Sequence, residues 1–500
     1  MRLRVSGRSS DLSRIQIHQV ANAFRAAVPD IEITPNFRES LGDRMQQDPL
    51  WSMPDKGVFT EDFVEDLREG RTDLVVHSWK DLPTEPRSWT RVAGTLPRAD
   101  TRDVLLVRRD LWQSVEPGSR ISVLSSSPRR AHNLTPFLSW ALPVQRLDVE
   151  FFPVRGNVPT RIRKLIGGEH HALVVAKAAL DRLLSSTADE FASMREEVRQ
   201  NLERCRWMIL PLKENPTGAA QGALAMELAT GGDSRIAAVV DSLNHEATFR
   251  EATRERDILR SYGGGCHQKI GVTVLSRPYG TIVSLRGLTD AGETLDRFEL
   301  ESQRKTPRTS RDKVWLAGGA DDDRMRREPM GVAQPSGERD LWAARAEALP
   351  EEWTVDETRL VWTAGLKTWN RLAARSVWVN GSAEGLGEDE EPRADIIARR
   401  PIRWVKLTHD RAEAEGGMDR LATYRLISHG QPPDLSAFTH FFWTSGSRFL
   451  EAVERQPEIL DGWHACGPGN SWKIIHERLG SGARLDVWLS REQWLNDLIE

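Results

Sequence analysis

The chain has 500 residues, and its 69 basic side chains nearly balance 73 acidic ones, leaving a net charge of −4. That balance excludes a bulk electrostatic pull toward nucleic acid or an anionic lipid surface, so affinity for anions must come from local clusters. Hydrophobic residues at 39% and charged residues at 28% exclude a disordered or membrane-spanning chain. They describe an ordinary soluble globular protein, too long for one core and expected as ~3–4 compact units.

Cys205, Cys266 and Cys466 are far apart and odd in number. This spacing argues against a disulfide framework or a metal site of paired thiols, and it fits a reducing compartment. The opening MRLRVSGRSS lacks the apolar core of a signal peptide, and no apolar run approaches the ~20 residues that span a bilayer. A cytoplasmic monomer with no metal, no membrane and no nucleic-acid partner is expected. The eighteen tryptophans read as extra core and interface packing.

In chain order, RLRV reads as a short strand. Leu12, Ile15, Val20, Phe24 and Val28 then recur at helical spacing, and IEITPNF reads as a second strand. Thr60 can cap a helix that buries Phe63, Val64 and Leu67 and ends at Gly70, and DLVVHS follows as a buried strand. Strand–helix–strand alternation predicts a mostly parallel, doubly wound sheet. A second series begins near Asp103, with DVLLV, RISVL, DVEFF and HALVVA as strands and RRAHNLTPFL and TRIRKL as helices. RCRWMIL leads the chain back to the first unit. One helix from Glu246 to Tyr262 and three strand-like runs then make a small α+β unit. The charged, turn-rich stretch from GGADDDRMRRE to QPSGERD reads as a linker. Beyond it, LVWTAGLKTW and HFFWTSGSRF resemble each other, each an apolar strand, then Thr-Ala/Ser-Gly, then a helix, as a duplicated two-lobed α/β unit would show.

Three loops carry chemistry at strand ends, where a doubly wound sheet holds its ligands. Ser125-Ser126-Ser127-Pro128-Arg129-Arg130 supplies hydroxyls, open amides and two guanidinium groups. Arg155-Gly156-Asn157 with Arg161, Arg163 and Lys164 forms a second cationic cluster, and Arg8 with Ser10 closes the first strand. Arginine forks suit a ligand with several carboxylates, although phosphate satisfies the same geometry. His77-Ser78-Trp79-Lys80-Asp81 places a carboxylate at a strand end beside a lysine, able to act as acid or base. Alone, a loop or cap role for Asp81 is the commoner reading. Gly263-Gly264-Gly265-Cys266 sets a thiol on a glycine loop, which fits a reactive or modified cysteine and a buried one equally. Cys205 reads as core.

These residues together resemble the porphobilinogen deaminase (hydroxymethylbilane synthase) family over roughly residues 2–300. The stretches are GRSSDLSRIQ, KGVFTEDFVEDLREGRTDLVVHSWKDLPTE, RADTRD, SSSPRR, VRGNVPTRIRKL, AAQGALAMEL and LNHEATFREATRERDILRSYGGGCHQKIGV, in the family's order. The resemblance implies two periplasmic-binding-protein-like, doubly wound domains and a small α+β domain carrying the cofactor cysteine. The expected divisions are 1–98 with 211–232, then 99–210, then 233–317, a linker at 318–354 and a two-lobed α/β region at 355–500. It also implies that Cys266 holds a dipyrromethane, onto which four porphobilinogen molecules are added with loss of ammonia before hydroxymethylbilane is released. Carried over by residue, Asp81 is the catalytic acid/base. Arg8, Ser10, Lys80, Ser126, Ser127, Arg129, Arg130 and Arg155 contact the cofactor, and Lys56, Ser78, Arg161 and Arg182 contact substrate.

There are departures. Ser52 stands where many members have a lysine, Pro54-Asp55 replaces a Gly-Gly pair, and Leu124 and Pro128 replace a glycine and a leucine around the serine turn. None removes the carboxylate, the arginine forks or the anchor. The remainder, 355–500, resembles uroporphyrinogen-III synthase through WTAGLKTW, WVNGSAEGLGE, YRLISH, FFWTSGSRF and ACGPGNSWKIIHERLG. That likeness implies a cyclase with Thr363, Tyr424, Thr444 and Ser445 as candidates, Tyr424 following a helix. Two rival classes remain: a non-catalytic anion-binding module, and a deaminase whose tail is only a scaffold.

Overall fold

The computed structural model describes residues 1–39, 60–264, 268–302, 306–317, 325–337, 339–388, 390, 392–412, 418–428, 432–480 and 484–499. The chain divides into two compact units. One comprises Met1–Trp140, Val144–Ser276 and Val283–Phe298, and the other Ala141–Pro143, Arg277–Ile282 and Glu299–Glu500.

The first unit contains two five-stranded sheets of one design. In the first, Arg2–Arg8 pairs in parallel with Glu32–Arg38 and with Leu74–Ser78, while Leu224–Ala229 runs antiparallel between Leu74–Ser78 and Thr90–Gly94. In the second, Arg120–Leu124 pairs in parallel with Asp148–Phe152 and Ala172–Ala176, and Asp103–Arg108 runs antiparallel between Ala172–Ala176 and Cys205–Ile209. RCRWMIL is therefore an edge strand of the second sheet, and the return to the first sheet comes after it. Both sheets bury near-continuous apolar strands, as helix-covered parallel sheets do. The helix Asp11–Ala27 follows the expected stripe, with Ile15, Val20 and Phe24 buried. Pro128, one of the departures, opens the helix Pro128–Ala141, where a missing N–H costs nothing.

A helix absent from the sequence reading, Ser234–Leu243, follows the last strand of the first sheet. Its Ile236 and Val240 join that sheet's core beside Leu224, Met226 and Ala93, so this part of 233–317 packs with the first sheet. The long helix Glu246–Ser261 sends Ala252 and Phe249 toward Trp79 and Leu82, and Ile258 and Leu259 toward Ile270, Val272 and Leu285. Gly271–Arg277, Gly280–Leu288 and Thr294–Glu301 form a three-stranded sheet.

The second unit holds a six-stranded and a four-stranded sheet. Val361–Thr363 lies in the first and His440–Trp443 in the second, each leading through its Thr-Ala/Ser-Gly turn into a helix, Leu366–Ala374 and Gly446–Arg455. The stretch 318–354, expected as a linker, carries two strands of the six-stranded sheet, Met325–Pro329 and Asp340–Ala343. Asp340–Ala343 sits between Val361–Thr363 and Trp404–His409, parallel to both, because Leu341, Trp342 and Ala343 form an apolar run wholly buried there. Likewise Val314–Leu316, assigned by sequence to the α+β domain, pairs with His440–Trp443, with Val314 and Ala317 buried in that lobe. Trp342, Trp362 and Trp404 cluster in one lobe, and Trp443 packs against Trp315, Phe441 and Phe449 in the other. Much of the tryptophan excess is thus core. Among the described residues no helix is long and apolar enough to cross a membrane, and no three His, Cys, Asp or Glu are grouped to hold a metal.

Candidate active site

In the first unit, strand ends from both sheets converge on a cavity of about 520 Å³, a size ordinary for small-molecule sites. Arg8 and Ser10 come from the end of the first strand, and Ser78, Lys80 and Asp81 from the third strand and the turn that follows it. Arg130, Arg155, Arg161 and Arg182 come from the second sheet's loops and helices. The lining thus holds six cationic side chains against two carboxylates, Asp81 and Glu39.

These cations crowd one another. Burial pushes the Arg161 guanidinium down to about 10, with Arg130 and Arg155 adding repulsion and Asp81 opposing it. Arg182 falls to about 10 by burial, with Asp181 opposing. Burial also pushes the Lys80 ammonium down to about 8, against the favourable field of Asp81. An anionic ligand relieves that repulsion, so the site favours carboxylates before any specific contact is made. Arg182 Nη2 donates to the Gly222 carbonyl (2.7 Å), while its buried Nε has no hydrogen-bond partner among the described residues. The donor set fits a chain of rings bearing acetate and propionate groups.

Several predicted contacts are placed elsewhere. Arg129 does not line the cavity: it donates to Asp103 (3.0 Å), the Asn215 side chain (2.9 Å) and the Pro216 carbonyl (2.7 Å), because it points back into the protein from the helix start. Ser126 ties its loop to Val154, donating to the carbonyl at 2.6 Å and accepting from the N–H at 2.8 Å. Ser127 Oγ accepts from the Arg130 N–H (3.4 Å), so both serines shape the turn and neither lines the cavity. Arg163 pairs with Glu197 (3.0 Å) on an exposed face, and Lys164 donates to the Arg155 carbonyl (3.1 Å). Lys56, Ser52 and Pro54-Asp55 lie outside the described residues, as does Cys266.

The approach to Cys266 is described. Gly263 and Gly264 both have positive φ, +94° and +57°, and a Cβ on Gly264 would lie 2.2 Å from Thr84 Oγ1. Only glycine permits that approach. It brings the start of the cysteine loop against the segment three residues beyond Asp81. Arg256, on the preceding helix, donates to the carbonyls of Trp79 (3.2 Å) and Leu82 (3.1 Å) and to that of Pro83, and Arg260 donates to Thr84 O (2.8 Å). One helix therefore clamps the Asp81 turn and leads into the cysteine loop. The other two thiols, Cys205 and Cys466, are buried, and burial pushes both up, Cys205 to about 12, which keeps them inert.

Three positioning groups went unrecognised in the sequence, although each sits in a quoted motif: Asp103 in RADTRD, Gln221 in AAQGALAMEL and Arg256 in REATRERD. Asp103, wholly buried, accepts five hydrogen bonds: Oδ1 from Arg130 Nη2 (2.7 Å) and Gln221 (2.8 Å), and Oδ2 from Arg130 Nε (3.0 Å), Arg129 (3.0 Å) and Asn215 (2.9 Å). Burial disfavours its charge, but Arg130 and Arg129 overcome this and hold the carboxyl well below the usual range.

In the second unit, Thr363 is wholly buried with Oγ1 3.4 Å from the Gly381 carbonyl, so it presents no hydroxyl outward. Tyr424 lies within the strand Asp419–Ser428, contrary to its expected place after a helix, and burial pushes its phenol up. Ser445 caps its helix by accepting from the Arg448 N–H (3.3 Å), and Thr444 is exposed. The two lobes meet where Gly387 and Gly469 approach so closely that a Cβ on either would lie 2.5 Å from the other's Cα.

The fold and the cavity define an α/β protein with a cation-lined cavity at its strand ends, of a chemistry that suits a polyanionic small molecule. Residues 3–238 match the family model described as porphobilinogen deaminase, dipyromethane cofactor binding domain. The probable porphobilinogen deaminase of Pyrobaculum islandicum is 32% identical over 294 residues, covering 58% of this chain and 89% of the relative. That of Acidothermus cellulolyticus is 34% identical over 304 residues, covering 57% and 83%. Among solved structures, the reduced OxyR regulatory domain from Pseudomonas aeruginosa aligns with 48% of this chain and 96% of its own at 12% identity, with a TM-score of only 0.25. The chain belongs to the porphobilinogen deaminase family. Porphobilinogen deaminase activity, a transferase reaction of tetrapyrrole synthesis with a dipyrromethane cofactor, is accordingly its function.

Proposed function

We propose that Cys266 anchors the dipyrromethane and that Asp81 moves the protons of each condensation, while the strand-end cations hold the carboxylates of the growing chain. The observation that carries this reading is the convergence of Asp81 and six cations on one cavity, with Gly264, two residues before Cys266, packed against Thr84 just past the Asp81 turn. When bound, the dipyrromethane supplies the pyrrole terminus onto which four porphobilinogen units are joined. Arg155, Arg161 and Arg182, on the second sheet's side, bind acetate and propionate as bidentate forks. Beside Asp81, Lys80 adds a point charge and Arg130 the donors that its fork on Asp103 leaves over. Asp81, fixed by Arg256 through the turn's carbonyls, holds a proton near the departing amine and accepts one from the joined ring, and its charge stabilises cationic pyrrole nitrogens.

The second unit supports a further reading, a cyclase acting on hydroxymethylbilane. Its two lobes each carry a parallel strand–Thr–Ala/Ser–Gly–helix unit, with helix N-termini at Leu366 and Gly446 that can receive carboxylates. Orientation is the main contribution such a reaction needs.

Both readings are tested on the full chain. Its intact mass should exceed that of the sequence by one dipyrromethane, and Cys266→Ser should lack both that mass and activity. Unmodified wild type with full activity would reassign the anchor. Fed porphobilinogen, the wild type should give the type III isomer, whereas type I alone would leave the second unit without cyclase activity.

A further inference from the structure

Gln221 sits at the only described point where the amide of one side chain touches both the Asp81 turn and the second sheet's buried carboxylate. Its Nε2 donates to the Thr101 carbonyl (2.7 Å) and to Asp103 Oδ1 (2.8 Å), and its Oε1 accepts from Lys80 Nζ (3.1 Å). The orientation is forced. A carbonyl and an ionised carboxylate only accept, so the amide nitrogen must face them and the oxygen must face the ammonium.

The backbone around it is held under strain. Ala220 has φ +63° and Gly222 φ +89°, conformations that favour glycine, and a Cβ on Gly222 would lie 2.6 Å from Ala99 O. Glu255 accepts from the Ala220 N–H (2.7 Å), Arg98 donates to the Gln221 carbonyl (2.9 Å) and Arg182 to that of Gly222 (2.7 Å). These bonds hold the backbone that carries Gln221 from both sides.

We propose that Gln221 is a positioning residue that couples Lys80 to the Asp103–Arg130 unit, so that the two cations face the cavity in register for one carboxylate of the pyrrole chain. The proposal rests on the cavity being the pyrrole site. Removing the amide leaves Lys80 without its neutral acceptor, whereas a carboxyl at 221 must hold a proton toward Asp103 and the Thr101 carbonyl and so keeps a neutral oxygen on Lys80. The charged groups around the Lys80 ammonium are Asp81 on its own turn, Arg130 and Arg129 on the helix Pro128–Ala141, and Asp103 on the second sheet. With those unchanged, only the group at 221 decides the sign of the difference.

The test compares wild type with Gln221→Met and Gln221→Glu by competitive labelling of Lys80 with acetic anhydride across pH, read by peptide mass. Kinetics on porphobilinogen accompany it. Burial pushes the wild-type Lys80 ammonium down to about 8. It should titrate lower in Gln221→Met and as in the wild type in Gln221→Glu, and the alkaline limb of kcat/KM should follow the same pattern. KM should rise about tenfold in Gln221→Met with a smaller change in kcat, as expected when a binding contact is lost equally from ground and transition states. A merely structural role leaves Lys80 alike in both variants. If Gln221→Met does not fold, Gln221→Asn, one methylene too short to span both partners, carries the same expectation of a lower Lys80 titration. Unchanged titration in folded Gln221→Met, or an equal shift in both variants, would overturn the proposal. A wild type that consumes no porphobilinogen would overturn the pyrrole-site reading instead, and the labelling would still decide whether Gln221 governs Lys80.

Discussion

Asp103→Asn is the most exacting perturbation of this site, because it removes one charge and changes no volume. In the native protein that carboxylate is wholly buried and takes five hydrogen bonds, three of them from two guanidinium groups. An asparagine accepts with one oxygen and turns an amide N–H₂ toward donors, leaving Arg129 and Arg130 buried without a counterion. Breaking a buried pair in this way costs about 3–5 kcal/mol. At roughly 2 °C per kcal/mol for a unit of this size, its melting temperature falls by about 6–10 °C. The pH dependence supplies a second check. Since the folded carboxyl is held well below its ordinary value, its contribution is fully present above the unfolded pKa of about 3.9 and fades as pH falls below it. Wild type and variant should therefore differ fully at pH 7 and converge in acid. Thermal unfolding of the full chain, followed by calorimetry at neutral pH and at about pH 2, well below the unfolded carboxyl's pKa, measures both. A loss below about 1 kcal/mol at pH 7 would refute the claim that Asp103 is the keystone of the arginine pair.

Asp81→Asn should keep the melting temperature and the bound pyrroles by intact mass, while turnover falls about 10²–10⁴-fold; near-normal turnover would reassign the proton-transfer role. Arg155→Ala and Arg161→Ala should stall elongation at fixed numbers of added rings in the mass spectrum. Arg129→Met, whose partners are Asp103, Asn215 and Pro216, should lower stability and leave the ladder of masses complete; a stalled ladder at normal stability would return Arg129 to the binding set. Arg256→Met releases the carbonyls that fix the Asp81 turn, so kcat should drop about 10–100-fold, with Arg256→Lys recovering part of it. Equal kcat in the folded Met variant would show that the turn holds itself.

Many of the elements of the first unit, and the chemistry of its strand ends, were legible in the sequence alone. Apolar alternation and helical spacing located Arg2–Arg8, Glu32–Arg38, Leu74–Ser78, Asp103–Arg108, Arg120–Leu124, Asp148–Phe152 and Ala172–Ala176 but passed over the strand Thr90–Gly94, and clustered arginines beside a lone carboxylate marked an anion site, because those signals are local. Tertiary structure decided which arginine faces the ligand. Arg129 and Arg130 are adjacent on one helix start, so no local rule separates them; the buried Asp103 anchors both, yet only Arg130 also reaches the cavity wall. The same holds for Gln221 and Arg256, whose partners lie 118 and 177 residues away. The sequence reading placed a linker at 318–354 because charge and turn residues dominate there. Four residues, Asp340–Ala343, nevertheless became a central strand, since their apolar run finds parallel partners at Val361–Thr363 and Trp404–His409. Burial of so short a run is settled only by the strands that flank it in space, and those are brought together by the fold.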